Sequence, residues 1–266
     1  MDASRTYSTD TQLINESIGS MDQEHAIRVP VETLQEQVYK QLRHLLMTGH
    51  FRPGQALKIR DLAESFATSI QPVREAIRQL VAEQALEASP NASTRVPRLD
   101  ADQLEDLRSI RVAVEGLAAE RATSRISNKE ITELSRILSA ENAADDQHSV
   151  ETSVARNLEF HFRLYSYSGS EILPSIIEGL WLRLGPSIRD AAEVFDARQG
   201  RGGAHHLDIV KALRKRDVAA VRHAVEQDIN RFFSVLKIAH ESVAKASAST
   251  AKVRAKRPRD GAAKAG

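Results

Sequence analysis

A chain of 266 residues has room for two modest domains, and its complete lack of cysteine excludes disulfides, thiolate-bound zinc and a cysteine nucleophile while suiting a reducing compartment. No window approaches the roughly 18 apolar residues of a membrane span, and the polar opening segment does not make a signal peptide, so the expected location is cytoplasmic. The net charge of +1 hides an uneven distribution: −3 over residues 1–30, +2 over 31–98, −4 over 99–244 and +6 over 245–266, a basic module ahead of an acidic one.

Residues 1–30 are rich in Ser, Thr, Asp and Gln without an apolar period, and a disordered tail is expected because they cannot bury enough surface to offset the entropy of ordering. From Leu34 the apolar positions Leu34, Val38, Leu42, Leu45 and Leu46 follow a helical spacing that stops at Gly49, a residue suited to the position just past a helix. Phe51-Arg52-Pro53-Gly54 is turn chemistry. A short helix is predicted from about Arg60 to Ala67, broken at Thr68-Ser69-Ile70. A third runs from Gln71 to about Gln84, with Pro72 in the first turn, where its missing N–H costs nothing. Leu86–Ala88 and Arg95–Arg98 read as two short strands around the turn Ser89-Pro90-Asn91-Ala92.

After Pro97 the pattern is helical throughout, with amphipathic stretches near 102–124, 129–143, 150–168, 171–184, 187–198, 205–215 and 218–240. Each has one apolar face to bury, which predicts a bundle of six or seven helices. From residue 242 the chain is Ala, Ser, Lys and Arg with Pro258, expected to be a basic disordered tail, either a tether for DNA phosphates or inert. The predicted fold is mainly α: a helix-turn-helix module over 31–98, then an all-helical domain over 99–241.

A helix-turn-helix requires a small residue inside its first helix, another entering the turn, and an apolar residue locking the second helix; Ala63, Ala67 and Val73 supply that spacing. The run Gly49-His50-Phe51-Arg52-Pro53-Gly54-Gln55-Ala56-Leu57, then Leu62-Ala63, then Ser69-Ile70-Gln71-Pro72-Val73-Arg74-Glu75-Ala76-Ile77-Arg78-Gln79-Leu80, closely resembles the winged-helix domain of GntR-family regulators. The resemblance implies a double-stranded DNA operator as partner. Arg74, one turn into the recognition helix, is placed to pair bidentately with a guanine, or else is a solvated helix charge. Ser69 and Gln71 open that helix, and Arg60 and Arg78 suit phosphate or flanking contacts. The family usually has arginine and threonine where this chain has Ile70 and Gln71, and glycine where it has Ala67, so its operator is expected to differ from common family sites. In the wing, Asn91, Ser93, Thr94 and Arg95 are either minor-groove and phosphate contacts or merely close the turn.

The helical part resembles the FadR-type C-terminal domain, abbreviated FCD, through Arg111-Val112-Ala113-Val114-Glu115, Phe160-His161, and the run His206, Ile209, Ala212, Leu213 and Asp217. That resemblance implies a homodimer that answers a small effector, and many relatives bind a divalent metal through one aspartate and three histidines inside the bundle. The residues themselves point to nearly the same positions, because polar groups inside apolar stripes are costly unless paired. His161 shares a face with Val154, Leu158 and Tyr165, with Asn157 one turn before it; His206 heads the stripe Ile209, Val210 and Leu213; Asp228 interrupts Val221, Val225 and Phe232. Set on the family pattern, His161 and His206 fall on ligand histidines, Asn157 on the aspartate and Asp228 on the last histidine. This set either holds zinc, nickel or manganese, or hydrogen-bonds within itself and with the effector. Arg111, Asn157, His161 and His206 are the candidate effector contacts, Arg111 either gripping a carboxylate or forming a structural salt bridge along its own helix. His205 and His223 are expected at the surface.

A carboxylate-bridged metalloenzyme is the rival from another class, since such sites are also built in helical bundles. It requires Glu-x-x-His pairs, and none of the nine histidines has glutamate three residues before it. No phosphate loop or nucleophile triad is present with supporting context, so an enzyme is not expected. A milder rival is a regulator whose signal is the metal ion itself rather than a carboxylate or sugar acid.

Overall fold

The amphipathic stretch at the start forms α1 (Leu34–Met47) in the computed structural model, which describes residues 32–89, 93–146, 150–196 and 203–255. Val38, Leu42, Leu46 and Met47 make its buried face. Gly49 ends it with φ 70°, so that its N–H reaches Leu46 O and the His50 N–H reaches Leu45 O, the two bonds of a Schellman closure. A two-residue strand β1 (Ala56–Leu57) follows, then α2 (Ile59–Ser65), α3 (Ile70–Ala82) and a hairpin of β2 (Glu87–Ser89) and β3 (Ser93–Arg95). The sheet is antiparallel in the order β1-β3-β2, with Leu57 and Ala88 both opposite Thr94. Two residues show no alternation, which is why β1 was invisible in the pattern; the observed hairpin strands sit a few residues from the predicted 86–88 and 95–98.

Asp100 caps the next helix by accepting from Gln103 N at 2.9 Å while Gln103 Oε1 accepts from Asp100 N at 3.0 Å, a reciprocal box that satisfies two otherwise orphaned donors. Six helices then follow among the described residues: α4 (Ala101–Thr123), α5 (Asn128–Asp146), α6 (Val150–Ser166), α7 (Leu173–Asp196), α8 (Gly203–Arg214) and α9 (Val218–Ala255). α9 lies against α4, α7 and α8; α5 touches α6 and α8; α6 and α7 pack on each other and on α4. None is long and apolar enough to cross a membrane.

Two expectations are corrected. The stretches 171–184 and 187–198 are one helix, α7, which runs through Pro186. The proline forfeits the bond its nitrogen would make to Leu182, but Leu182, Leu184, Ile188 and Ala191 are all buried, and their packing outweighs one missing bond. At the other end, α9 continues to Ala255, past the residue 242 at which disorder was expected. Ala, Lys and Arg are strong helix formers, and neither Pro nor Gly interrupts them before Pro258. The tail predicted over 1–30 and the chain beyond 255 lie outside the described residues.

The described residues from Gln35 onward form one compact unit. Within it α1 meets the bundle through α7: Arg43 Nη1 pairs with Glu178 Oε1 at 2.9 Å, and Gly185 lies against the backbone of Leu46 and Met47.

Candidate functional site

Two sets of side chains carry chemistry, one outside and one inside. On the outer surface of α2 and α3, Arg60, Ser69, Gln71, Arg74 and Arg78 are all exposed, because the same α3 turns its Val73, Ala76, Ile77 and Leu80 inward. Ser69 precedes α3 in extended conformation without bonding its first turn through the side chain. The exposed face is already wired: Gln71 Nε2 donates to Glu75 Oε1 at 2.8 Å, Arg78 Nη1 to the same oxygen at 2.9 Å, and Arg74 Nη1 to Gln71 Oε1 at 3.4 Å. Arg74 therefore leans on neutral Gln71, while the charge of Glu75 is answered by Arg78. The turn between α2 and α3 places Ala67 at φ 48°, in the left-handed region where the family pattern has glycine.

In the wing, Arg95 is exposed but Thr94 is buried, at 6% exposure. Strand alternation turns Thr94 toward the core, with Leu57 and Ala88 opposite it in the sheet, so its side chain is largely withdrawn from the surface. Asn91 lies outside the described residues, and Ser93 is described only as β3 backbone.

Inside the bundle, His161 of α6, His206 of α8 and Asp228 of α9 converge, with ligand atoms all within 4.8 Å of one another. His161 Nε2 stands 3.0 Å from His206 Nε2 and 3.2 Å from Asp228 Oδ2; His206 Nε2 is 3.9 Å from Asp228 Oδ1. Asn157 approaches from α6, its Nδ2 3.4 Å from His206 Nε2. The four residues named from the sequence are thus brought together. Burial works against a charged Asp228, yet the close approach of His161 and the proximity of His206 and His205 outweigh it and hold the carboxyl below the ordinary range. Phe160 stacks on the His206 ring at 4.4 Å between centroids, fixing its plane. His223 is exposed and His205 half-buried.

Arg111 forms a salt bridge along its own helix. It is 3% exposed, its Nε and Nη2 bond Glu115 one turn along α4, and its guanidinium lies 4.3 Å from the Trp181 ring centre. Glu115, fully buried, also accepts from Trp181 Nε1 at 3.1 Å and from Tyr165 OH at 2.7 Å. Tyr165 in turn stands 3.1 Å from His161 Nδ1, and its phenol is raised well above the ordinary value by burial and then by the Glu115 charge and hydrogen bond. Glu115, Tyr165 and Trp181 were not singled out as site residues. The spacing of Arg111 to Glu115 and of His161 to Tyr165, four residues each, was the available signal.

Comparison with known proteins bears on both sets. The profile described as "Bacterial regulatory proteins, gntR family" matches residues 34–96, and that of the FCD domain matches residues 106–231. The HTH-type transcriptional regulator McbR of Escherichia coli K12 is 30% identical over 202 residues, spanning 75% of this chain and 91% of McbR. The HTH-type transcriptional repressor RspR of the same organism is 26% identical over 214 residues, 80% of this chain and 93% of its own. The solved structure of E. coli McbR/YncC resembles this one with a TM-score of 0.75 at 28% identity, covering 79% of this chain and all 100% of that one.

Proposed function

As the chain belongs to the gntR family of bacterial regulatory proteins and carries an FCD domain, it is a transcription regulator, and we propose that it binds a pseudo-palindromic operator as a cytoplasmic homodimer whose affinity is set by a small organic acid held beside a divalent metal ion. Residues 31–98 read DNA, with Arg74 on base edges and Arg60, Ser69, Gln71, Arg78 and Arg95 around it; residues 99–241 sense and pair. A single recognition helix touches too few base pairs for useful specificity, which is the reason for two-fold pairing.

The observation that carries the sensing half is the convergence of His161 Nε2, His206 Nε2 and the Asp228 carboxylate at separations of 3.0, 3.2 and 3.9 Å. Donor atoms that each bind one cation at about 2.0 to 2.2 Å stand roughly 3 to 4 Å apart, so the residues present fit an ion. Two imidazoles and one carboxylate suit zinc, nickel or manganese. Asn157 would join them through its amide oxygen, after turning over the amide that now points Nδ2 at His206. Bound there, the ion would supply the positive charge that anchors an effector carboxylate or sugar acid; His161, His206 and Asn157 would line its seat.

The test titrates binding to operator fragments selected from a random-sequence pool, first with zinc chloride alone, then with zinc and a panel of carboxylic and sugar acids. Affinity that changes only with both supports the proposal. A change with zinc alone makes the ion itself the signal. An unchanged affinity in zinc-loaded protein across the whole panel would remove the acid effector.

A further inference from the structure

A tyrosine hydroxyl has one proton, and in Tyr165 that proton is spent. The OH donates to Glu115 Oε2 at 2.7 Å, inside a buried carboxylate cage completed by Arg111 and Trp181. The same oxygen lies 3.1 Å from His161 Nδ1. With its only hydrogen turned toward Glu115, the oxygen can meet His161 solely as an acceptor, so Nδ1 must carry the proton of that hydrogen bond. With Nδ1 so engaged, Nε2 is the ring nitrogen left to face the cluster, and in the neutral ring it is a lone pair. That lone pair is the atom standing 3.0 Å from His206 Nε2 and 3.2 Å from Asp228 Oδ2.

We propose that Tyr165, oriented by Glu115, is the positioning residue that fixes His161 in its Nδ1–H tautomer and so presents Nε2 to the interior cluster as a ligand atom. Three helices take part in one chain of hydrogen bonds: Glu115 on α4, Tyr165 and His161 on α6, with Trp181 of α7 holding the other oxygen of Glu115. Arg111 holds Glu115 in place, so an ion pair along one helix reaches the cluster through two further side chains. Without the hydroxyl, His161 would gain more by moving its proton to Nε2 and donating it to the Asp228 carboxylate, which is nearer the ordinary behaviour of a His–Asp pair. That arrangement blocks Nε2 from any cation. The orienting chain therefore decides between a self-satisfied hydrogen bond and an open ligand atom; its use in ion binding rests on the proposed reading of the cluster, whereas the tautomer itself does not.

The experiment records ring-nitrogen NMR correlations of ¹⁵N-histidine-labelled full-length protein stripped of metal, with His161→Gln to assign the resonances, alongside calorimetric titration with zinc chloride. The expected wild-type pattern for His161 is a protonated Nδ1 and an unprotonated Nε2. Tyr165→Phe keeps the ring and its packing while removing the hydroxyl; the proton should shift to Nε2 and zinc affinity should fall by roughly 10- to 100-fold. Glu115→Gln, if it melts within a few degrees of wild type, should shift the tautomer in the same direction. Should Glu115→Gln fail to fold, Tyr165→Phe decides alone. An Nε2–H tautomer in the wild type, or a His161 pattern unchanged by Tyr165→Phe, would overturn the positioning role. A tautomer that responds as expected in a protein that binds no zinc would support that role and overturn the ion.

Discussion

The Cβ that Gly185 lacks would stand 2.2 Å from the backbone oxygen of Leu46 and 2.7 Å from the Cα of Met47. Those atoms are main chain at the end of α1 and have no rotamer with which to retreat. Gly185→Ala must therefore push α7 and α1 apart, at a cost of about 1 to 3 kcal/mol and several degrees in Tm. Gly179, six residues earlier on the same helix, has nothing within 4 Å of its would-be Cβ. Gly179→Ala should then be neutral or stabilising by up to about 1 kcal/mol, since alanine is the better helix former. Thermal melts of the two variants check the pair; equal responses would show that α1 and α7 are not in contact in solution.

Ala67 at φ 48° sits in a conformation that costs an L-residue with a Cβ roughly 1 to 2 kcal/mol. Glycine relieves that cost and gives back part of it in unfolded-state entropy. Ala67→Gly should raise the stability by about 0.5 to 1 kcal/mol in chemical denaturation without changing operator specificity. A loss of stability would mean the turn between α2 and α3 relaxes out of the left-handed region.

Much of this fold was legible because burial repeats at helical spacing: Val38, Leu42 and Leu46 in α1, or Val73, Ile77 and Leu80 in α3, all reached the core as their period requires. Features decided by tertiary contact were not. Pro186 read as a break because a local rule cannot see Leu184 and Ile188 packed on both sides of it. The burial of Thr94 was not legible because a turn of uncertain length hides which face of β3 points inward. In the interior cluster, His161, His206, Asn157 and Asp228 stood out as polar breaks in apolar stripes, whereas Glu115 did not, since a carboxylate on a helix near an arginine resembles any exposed ion pair until its 0% exposure is known.

Arg74→Ala should weaken binding to the specific operator by about 1 to 3 kcal/mol and relax sequence preference at one position in each half-site. Gln71→Ala removes the side chain on which Arg74 leans at 3.4 Å and should produce a smaller loss at the same position. Selection from random DNA pools reads both effects. An unchanged consensus for Arg74→Ala would take that residue out of base reading.

Asn157→Asp should reverse sign with the metal. Without zinc it replaces the donor at 3.4 Å from His206 Nε2 by a second carboxylate near Asp228, and like charges there should lower Tm. With zinc the added charge should tighten binding by about tenfold or more and raise Tm above that of the loaded wild type. Melts with and without zinc, supported by elemental analysis, test this; a variant indifferent to zinc would argue against an ion at the cluster.

If the cluster holds an ion, the closed pairing of Arg111 with Glu115 would impose an order of events. Their charges cancel inside the protein, so they offer an arriving acid no net positive charge, and with both imidazoles neutral His161, His206 and Asp228 together carry one negative charge, near the partly buried Arg231. The three cluster side chains alone would give an acid no opposite charge to hold it. A seated divalent ion would turn the balance of those three side chains positive and draw the acid in. Sensing would then be sequential, ion before acid, and a chelator would silence the response to the effector without competing for its seat.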